Sequence, residues 1–137
     1  MASTSASGGL KSTAEDMAKF GQMWLQMGTL NGRRILSPAS IRTALRNHNE
    51  GHPATEWFGR WIGTDWGLGW DLKGRKNNDQ GFLRSPSSYS HGGFGGALMI
   101  VDPEYDLVVS GYFCEKEETS MYDDFGPASN ILYSALD

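Results

Sequence analysis

The chain has 137 residues, a length that suits one domain with its own buried core. With 39% hydrophobic and 12% aromatic residues, the composition is typical of a globular protein and excludes a disordered one. The formal net charge is −4 and no basic patch stands out, so we expect no nucleic-acid partner. No apolar run reaches the ~18 residues of a membrane span. The single cysteine, Cys114, excludes an internal disulfide and is best explained as a buried, inert thiol.

The N-terminal region predicts a short lead-in followed by a helix. The stretch MASTSASGG lacks the basic start and apolar centre of a signal peptide, so we expect residues 1–8 to be flexible. Ser12 and Glu15 then form a capping-box pattern that predicts a helix start. Residues at helical spacing predict one apolar, core-packing face: Met17, Phe20, Trp24 and Met27. Gly28 and the turn after it end the helix.

A second helix is predicted by a serine cap followed by proline. Ser37 can cap this helix and Pro38 fits its first position. Its inward-facing residues are Ile41, Ala44 and Leu45. His48 and His52 follow at a spacing that can bind metal on a helix. The glycine and proline around them argue against a helix, and no third ligand is visible, so we expect no metal site.

The segment from residue 55 to residue 87 is rich in loops. Its Trp66–Leu72 stretch, WGLGWDL, predicts a short strand, and KGRKNNDQG after it predicts a polar turn. Four aromatic residues of this part either line a substrate cleft or pack under the loops, and packing is favoured: Trp57, Phe58, Trp61 and Trp66. The acidic residues Asp65, Asp71 and Asp79 are scattered and form no recognisable acid–base pair.

The C-terminal third predicts a sheet and a covering helix. Residues 97–101 and 107–113 are apolar at successive positions and are joined by the turn DPEYD. We therefore expect antiparallel neighbours in a sheet covered on both faces. The stretch FGPASNILYSALD predicts a last helix, with Pro127 near its start, that lies across one face. Its apolar residues are Ile131, Leu132, Ala135 and Leu136. The fold class is therefore α+β, with an antiparallel sheet flanked by helices in one domain spanning residues 1–137.

The order of these motifs resembles a known family. The segments GGLKSTAEDMAKF, WGLGWDL and SHGGFGGALMIVDPEYDLVV, followed by a last helix, are similar to the C-terminal part of the serine β-lactamase and penicillin-binding-protein-like family. The esterase and class-C-like branch is most similar. The resemblance implies a partial β-lactamase/transpeptidase-like fold. It also implies acyl transfer through a serine ester on a small ester, amide or β-lactam, with no cofactor.

The resemblance also assigns site residues. His91, Gly92 and Gly93 stand where the family has a Lys-Thr-Gly-like box, which often reads His-x-Gly in the esterase branch. By this resemblance the strand lines the substrate, and the backbone N–H of Phe94 donates to the oxyanion. His91 then hydrogen-bonds a substrate carbonyl or carboxylate, or supports the nucleophile's proton relay. Gly92 lacks the hydroxyl usual at its position, which favours an ester, amide or peptide over a β-lactam.

The family's nucleophile is missing from these 137 residues. They contain no Ser-x-x-Lys and no Tyr-x-Asn or Tyr-x-Ser. We therefore expect a C-terminal fragment or a short relative of a serine acyl hydrolase, inactive unless an N-terminal half complements it. The alternative is a binding or scaffolding domain that lost the chemistry. A third hypothesis, an active hydrolase that uses Ser90, His91 or Cys114, is weaker because adjacent strand residues point to opposite faces. An exposed sheet edge also predicts a homo-oligomer.

Overall fold

A computed structural model describes residues 8–53, 55–57, 60–62, 64–76, 80–93, 96–112 and 121–136. The helices in this part are α1 (Ala14–Leu25), α2 (Pro38–Ala44) and α3 (Met121–Tyr133). The strands are β1 (Thr29–Leu30), β2 (Arg33–Arg34), β3 (Thr55–Trp57), β4 (Arg60–Ile62), β5 (Asp71–Leu72), β6 (Tyr89–Gly93), β7 (Ala97–Asp102) and β8 (Leu107–Tyr112). Two hairpins, β1–β2 and β3–β4, accompany a four-stranded antiparallel sheet of order β5-β6-β7-β8. The predicted α+β class with an antiparallel sheet is confirmed.

Helix α1 begins one residue later than the sequence predicts. Thr13, not Ser12, is the N-cap: its extended backbone directs the side-chain oxygen to accept from the Asp16 backbone N–H at 3.1 Å. The hydroxyl of Ser12 instead donates to the Thr13 carbonyl. Two adjacent hydroxyl residues offer two caps, and the helix takes the one that places Glu15 and Asp16 together in its positive first turn.

The face that α1 buries is also rotated from the predicted one. Gly21 lies directly against the sheet, because a Cβ at this position would come within 2.6 Å of Val108 Cγ1. Centring the contact on Gly21 buries Trp24 and leaves Phe20 43% exposed. Met27 lies beyond the helix with a φ of +53° and is partly exposed. The prediction is therefore confirmed for Met17 and Trp24 and wrong for Met27. Phe20 is largely exposed, yet its ring still contacts Trp24 and Trp70 of the core.

The connection to α2 and α2 itself follow the sequence. Asn31 and Gly32 have positive φ values of 50° and 75°, the backbone of a tight turn between β1 and β2. Ser37 caps α2 by accepting from the Ser40 backbone N–H at 3.0 Å, and Pro38 occupies the first turn. Ile41 and Ala44 are buried and Leu45 is partly buried in the same core, as predicted.

The stretch from Trp66 to Leu72 is mostly a tight turn and not the predicted strand. Asp71 and Leu72 alone form β5, while Trp66 makes an isolated bridge to Asp71. The turn lies against the end of α2, where a Cβ on Gly67 would come within 2.1 Å of the Ala44 carbonyl oxygen. Gly67 therefore allows a close approach, and Gly69 a positive φ of 78°, neither of which a period-two pattern reveals.

The two faces of the four-stranded sheet are covered by different helices, as predicted. On the face toward α1, Tyr89, Met99 and Val101 join a core whose other buried members are Met23, Trp24, Ile41, Ala44 and Trp70. On the opposite face, Leu98 and Ile100 pack against Phe125 of α3. Because directly opposed residues share a face, Ser90 and Gly92 belong to the α3 side and His91 to the α1 side.

The buried face of α3 differs from the predicted one. Its buried residues recur four apart, at Phe125, Ser129 and Tyr133, whereas Ile131 is 72% exposed and Leu132 is partly exposed. Pro127 lies inside the helix and not near its start. The sequence predicted that Ile131 is buried because it is one of the apolar residues of this helix. The observed face follows instead from the phenol of Tyr133, which reaches a buried carboxylate of the sheet.

Candidate substrate-binding site

The strand that carries the His-Gly-Gly motif is paired unevenly. In β6, Tyr89 and Ser90 are buried, His91 is exposed, and the two glycines are half-buried. Strand β5 pairs with Tyr89 and Ser90, while β7 pairs with all five residues of β6. Within the described residues, the segment from His91 to Gly93 therefore has a strand neighbour on one edge and an open second edge. On this second edge, no described strand pairs with the backbone from His91 to Gly93.

The exposed imidazole of His91 contacts an aromatic ring. The rings of His91 and Trp66 have centroids 5.9 Å apart and an interplanar angle of 85°, an edge-to-face arrangement. Such contacts are favourable and hold the imidazole in a defined orientation. Trp66 is only partly buried and lies beside the motif strand. Of the four aromatic residues of the loop-rich segment, Trp66 is the one whose side chain the structure describes, and it lies beside His91.

The two motif glycines are not required by the packing of the chain itself. A Cβ on Gly92 would meet nothing closer than the Ala97 carbonyl oxygen at 3.7 Å, an ordinary contact. A Cβ on Gly93 would lie 3.3 Å from the Ala97 Cβ, which is tight but not a clash. Neither glycine has a positive φ. By contrast, Gly21 and Gly67 fill places that no Cβ could occupy without a shift.

Ser90 and His91 do not form a catalytic pair. The hydroxyl of Ser90 is fully buried on the α3 side and donates to Gln80 Oε1. His91 projects from the α1 side of the same strand. The expectation that the two side chains point to opposite faces is confirmed, and it removes the nearest serine as a partner of the imidazole.

Several other predicted residues lie outside the described part of the chain. These include Phe94, whose backbone N–H the resemblance assigns to the oxyanion, together with Cys114 and Asp79. Phe58 lies outside as well, and the side chains of Trp57 and Trp61 are not described. The oxyanion role of Phe94 and the inert character of Cys114 therefore stay predictions.

A buried polar network lies behind the motif strand, and sequence reasoning missed it. Asp102 accepts from the Ser85 backbone N–H at 2.9 Å and from the Tyr133 hydroxyl at 2.7 Å. Burial and this hydrogen bond raise the pKa of the Tyr133 phenol. The sequence marks Asp102 only as a turn residue. The run of serines from Ser85 to Ser90, next to an apolar strand, is the sequence feature that could have indicated this buried network.

A buried guanidinium extends the network toward β6. Arg84 is 3% exposed and donates from Nη1 to Gln80 Oε1 at 3.2 Å. The same amide oxygen accepts from Ser90 on β6. Burial lowers the pKa of Arg84, and neighbouring acidic groups, Asp71 and Asp102 among them, oppose that effect. These hydrogen bonds hold Ser90 on the α3 side of β6, the side opposite to His91.

The remaining histidines do not join the site. The His48 ring nitrogen Nε2 lies 2.8 Å from the Thr43 carbonyl oxygen, and His52 is exposed in the following loop. In the part of the chain that the structure describes, no three acidic, histidine or cysteine side chains cluster as metal ligands. Nor is any helix among those residues long and apolar enough to cross a bilayer.

Comparisons with known proteins identify relatives of this chain. A family profile described as Beta-lactamase matches residues 1–125. The proteins Rv1367c and MT1414, from two strains of Mycobacterium tuberculosis, are 35% identical over 112 residues, which is 76% of this chain and 27% of each relative. The chain thus spans about a quarter of the length of these curated relatives.

Solved structures agree on the fold. A penicillin-binding-protein homolog from Caulobacter crescentus has a TM-score of 0.62 at 22% identity, over 88% of this chain and 31% of that one. A candidate beta-lactamase from Bacteroides dorei has a TM-score of 0.55 at 20% identity, over 93% of this chain and 39% of that one. With the family match over most of its length, the chain belongs to the beta-lactamase family.

Proposed function

We propose that this chain supplies the substrate and oxyanion wall of a beta-lactamase-family serine acyl hydrolase. The wall consists of His91, Gly92, Gly93 and the backbone N–H of Phe94. One observation carries the proposal: within the described residues, the end of β6 has one strand neighbour, and a Cβ on Gly92 would make only an ordinary contact there. A bare backbone at an open strand edge serves a group that comes from outside the chain.

Each residue has a distinct role in this proposal. Gly92 and Gly93 have no side chains, so an acyl group can reach the backbone of the strand. The N–H of Phe94 then donates to the oxygen that becomes negative in the transition state, the type of contact that stabilises acyl transfer most. His91, oriented by the edge of Trp66, donates to a second oxygen of the substrate. The missing hydroxyl at Gly92 favours esters, amides or peptides over β-lactams.

The nucleophile enters from a complementing segment. A serine attacks only when a base is positioned beside it, and the 137 residues hold no Ser-x-x-Lys. The serine Oγ of the complementing segment attacks the acyl carbon, its proton passes to the leaving group, and water then releases the acid and regenerates the serine. The present chain stabilises charge and positions the substrate in both steps.

The alternative is a binding or scaffolding domain that uses the same strand edge from His91 to Gly93 and has no turnover. It is supported by Ser90, which is buried on the far face and already donates its hydrogen bond. This function requires the open edge and His91 but no complementing chain.

A complementation assay separates the two functions. The chain is mixed with a separately produced N-terminal segment that carries Ser-x-x-Lys and the tyrosine element. Hydrolysis of a short-chain chromogenic ester is then followed, together with the intact mass of both partners. We expect turnover with acylation of the added segment. His91→Gln should lower this turnover by about tenfold through loss of the hydrogen bond to the substrate oxygen. His52→Gln, an exposed histidine away from the site, is the matched control.

Three other outcomes contradict the proposal. Specific ester binding without turnover in the mixture indicates the binding domain. An acyl label on this chain alone places the nucleophile within the 137 residues. Equal effects of His91→Gln and His52→Gln remove His91 from the site.

The outer edge of β8 gives the partner a place to dock. Within the described residues β8 pairs with β7 alone, so its second edge is free to pair with another chain. We propose that either the complementing segment or a second copy covers it. Sedimentation velocity distinguishes the two, because a self-associating chain dimerises before any segment is added. A monomer that gains no mass from the segment contradicts both.

A further inference from the structure

A cavity lies at the start of β6, the end of the motif strand that is opposite to Gly92 and Gly93. It has a volume of about 520 Å³ and is bounded by the end of α2, the turn after β5 and the start of β6. Its lining includes Leu45, Leu72, Pro86 and Pro103 as apolar walls, with Arg75 and Tyr89 among the polar members. Small-molecule sites typically measure roughly 300–1,000 Å³. His91 and the glycines after it are not among its lining residues.

Tyr89, at the start of β6, lines this cavity. Tyr89 is only 2% exposed, and its ring is held edge-on by Trp70 with centroids 5.0 Å apart. Its hydroxyl has no hydrogen-bond partner among the described residues, although the residue lines the cavity. Burial raises the pKa of Tyr89, so the group stays protonated at neutral pH. A hydroxyl at a cavity wall that has no partner in the chain can donate a hydrogen bond to a bound ligand.

Two charged side chains line the cavity, the carboxylate of Asp65 and the guanidinium of Arg75. Asp65 already accepts from Asn47 Nδ2 at 2.6 Å. Lys76 is bonded to the Asp71 carboxylate and to the Asp65 carbonyl. Arg75, at the tip of the turn, is exposed and has no ion-pair partner among the described residues. The one guanidinium that lines the cavity is therefore free to bind a carboxylate, which matches its planar fork.

We propose that this cavity binds a small organic carboxylate with an apolar body, such as an aryl or branched alkyl acid. The carboxylate pairs with Arg75 and accepts from the Tyr89 hydroxyl. The apolar body packs against Leu45, Leu72 and the prolines. The site is separate from the open edge at His91 and does not rest on the hydrolase function, since it requires neither the nucleophile nor turnover.

The test is a binding titration of the purified chain followed by two-dimensional NMR. Benzoate is compared with benzyl alcohol, which keeps the ring, and with acetate, which keeps the charge. We expect saturable shifts at the amides of Leu72, Gly74 and Ser88 with benzoate, and affinities weaker by about tenfold or more for both analogues. The titration is independent of the ester assay. A negative ester assay would therefore contradict the hydrolase function and not the binding of benzoate.

Variants make the proposal specific. Arg75→Gln should weaken benzoate about tenfold or more, while Arg33→Gln, an exposed arginine of β2, should leave it unchanged. Tyr89→Phe removes the hydroxyl and keeps the ring on Trp70, and should weaken benzoate several-fold, roughly the value of one hydrogen bond. Ser87→Trp fills the cavity from an exposed position and should abolish binding. Each variant's spectrum reports whether it is folded.

Three results would overturn the carboxylate site. Benzoate shifts that do not saturate at millimolar concentration mean that the cavity holds no ligand of this class. Equal weakening by Arg75→Gln and Arg33→Gln means that only general charge matters. Benzyl alcohol bound as tightly as benzoate means that the cavity selects an apolar ring and not an anion.

Discussion

The two faces of the four-stranded sheet are stabilised by different means. Toward α1 the contacts are between rings: Trp70 meets Trp24 and Tyr89 edge-on, with centroids 5.0 Å apart in both pairs. Toward α3 a small apolar cluster stands beside a network in which Asp102 receives donors from separate parts of the chain. The first face depends on the volume of its rings, and the second on a buried carboxylate and the groups that donate hydrogen bonds to it.

The difference predicts how each face responds to damage. A ring cluster loses stability in proportion to the atoms removed and the cavity left behind. A buried carboxylate network fails through the groups that remain, because an orphaned donor carries its full desolvation cost. Two substitutions of unequal size can therefore have comparable effects when they are made on opposite faces.

The largest expected effect is the removal of Trp70 from the α1 face. Trp70→Ala should lower the free energy of unfolding by about 3–5 kcal/mol, because the indole contacts both Trp24 and Tyr89. Urea denaturation followed by circular dichroism measures it. Trp70→Phe keeps a ring in place and should cost clearly less. If both variants cost under about 1 kcal/mol, the ring cluster does not support this face.

The α3 face should respond to the loss of a single charge without loss of volume. Asp102→Asn keeps the shape but turns an amide toward the Ser85 N–H and the Tyr133 hydroxyl, and should cost about 2–3 kcal/mol. Asp106→Asn is the matched control: Asp106 is exposed in the same turn with a φ of +49°, which asparagine tolerates. Similar urea midpoints for both variants would remove the distinction between the faces.

Alkaline pH should act on both faces through their buried phenols. The pKa values of Tyr89 and Tyr133 are raised in the folded state by burial, and Tyr133 also donates to Asp102. Above pH ~10 an unfolded tyrosine loses its proton while the folded one keeps it, so stability present below pH ~10 is lost as pH rises further. Urea midpoints between pH 8 and pH 11 follow this loss.

Tyr133→Phe separates the two contributions to that pH dependence. The variant should be less stable at neutral pH and lose less stability above pH ~10 than the parent chain. A parent chain whose midpoint stays constant to pH 11 contradicts the effect for both phenols.

The smallest expected effect comes from the motif strand itself. Gly92→Ala should change stability by less than about 0.5 kcal/mol, since a Cβ there meets only an ordinary contact. Gly21→Ala should cost about 1–3 kcal/mol, because its Cβ would press on Val108 of the sheet. A large loss at Gly92 would show that the fold, and not an incoming ligand, requires this glycine.

The sequence predicted correctly those helices, strands and caps that depend on residues close together in the chain. The β7–β8 hairpin, the serine cap of α2 and the terminal helix follow from adjacent residues. The buried face of α1 was misjudged because Gly21 gives no apolar signal, although it makes the closest approach to the sheet. The buried face of α3 was misjudged because Tyr133 is placed by Asp102, 31 residues away.

The candidate site was predictable only in part. The motif located His91 and the two glycines on one strand, and alternation placed Ser90 on the other face. The open edge depends on how far β5 extends, which is set by the turn from Trp66 to Trp70 against α2. The edge-on contact of Trp66 with His91 joins residues 25 positions apart, and no spacing rule connects them.

The uneven pairing of β6 has a consequence for the exchange of amide hydrogens with solvent. Tyr89 and Ser90 lie between two strands, whereas Gly92 and Gly93 have one strand neighbour among the described residues. Opening the glycine end therefore breaks fewer contacts than opening the start of the strand. We therefore expect deuterium uptake to change from slow to fast within these five residues. The point of change marks where the scaffold ends and a surface free to adapt to a ligand begins.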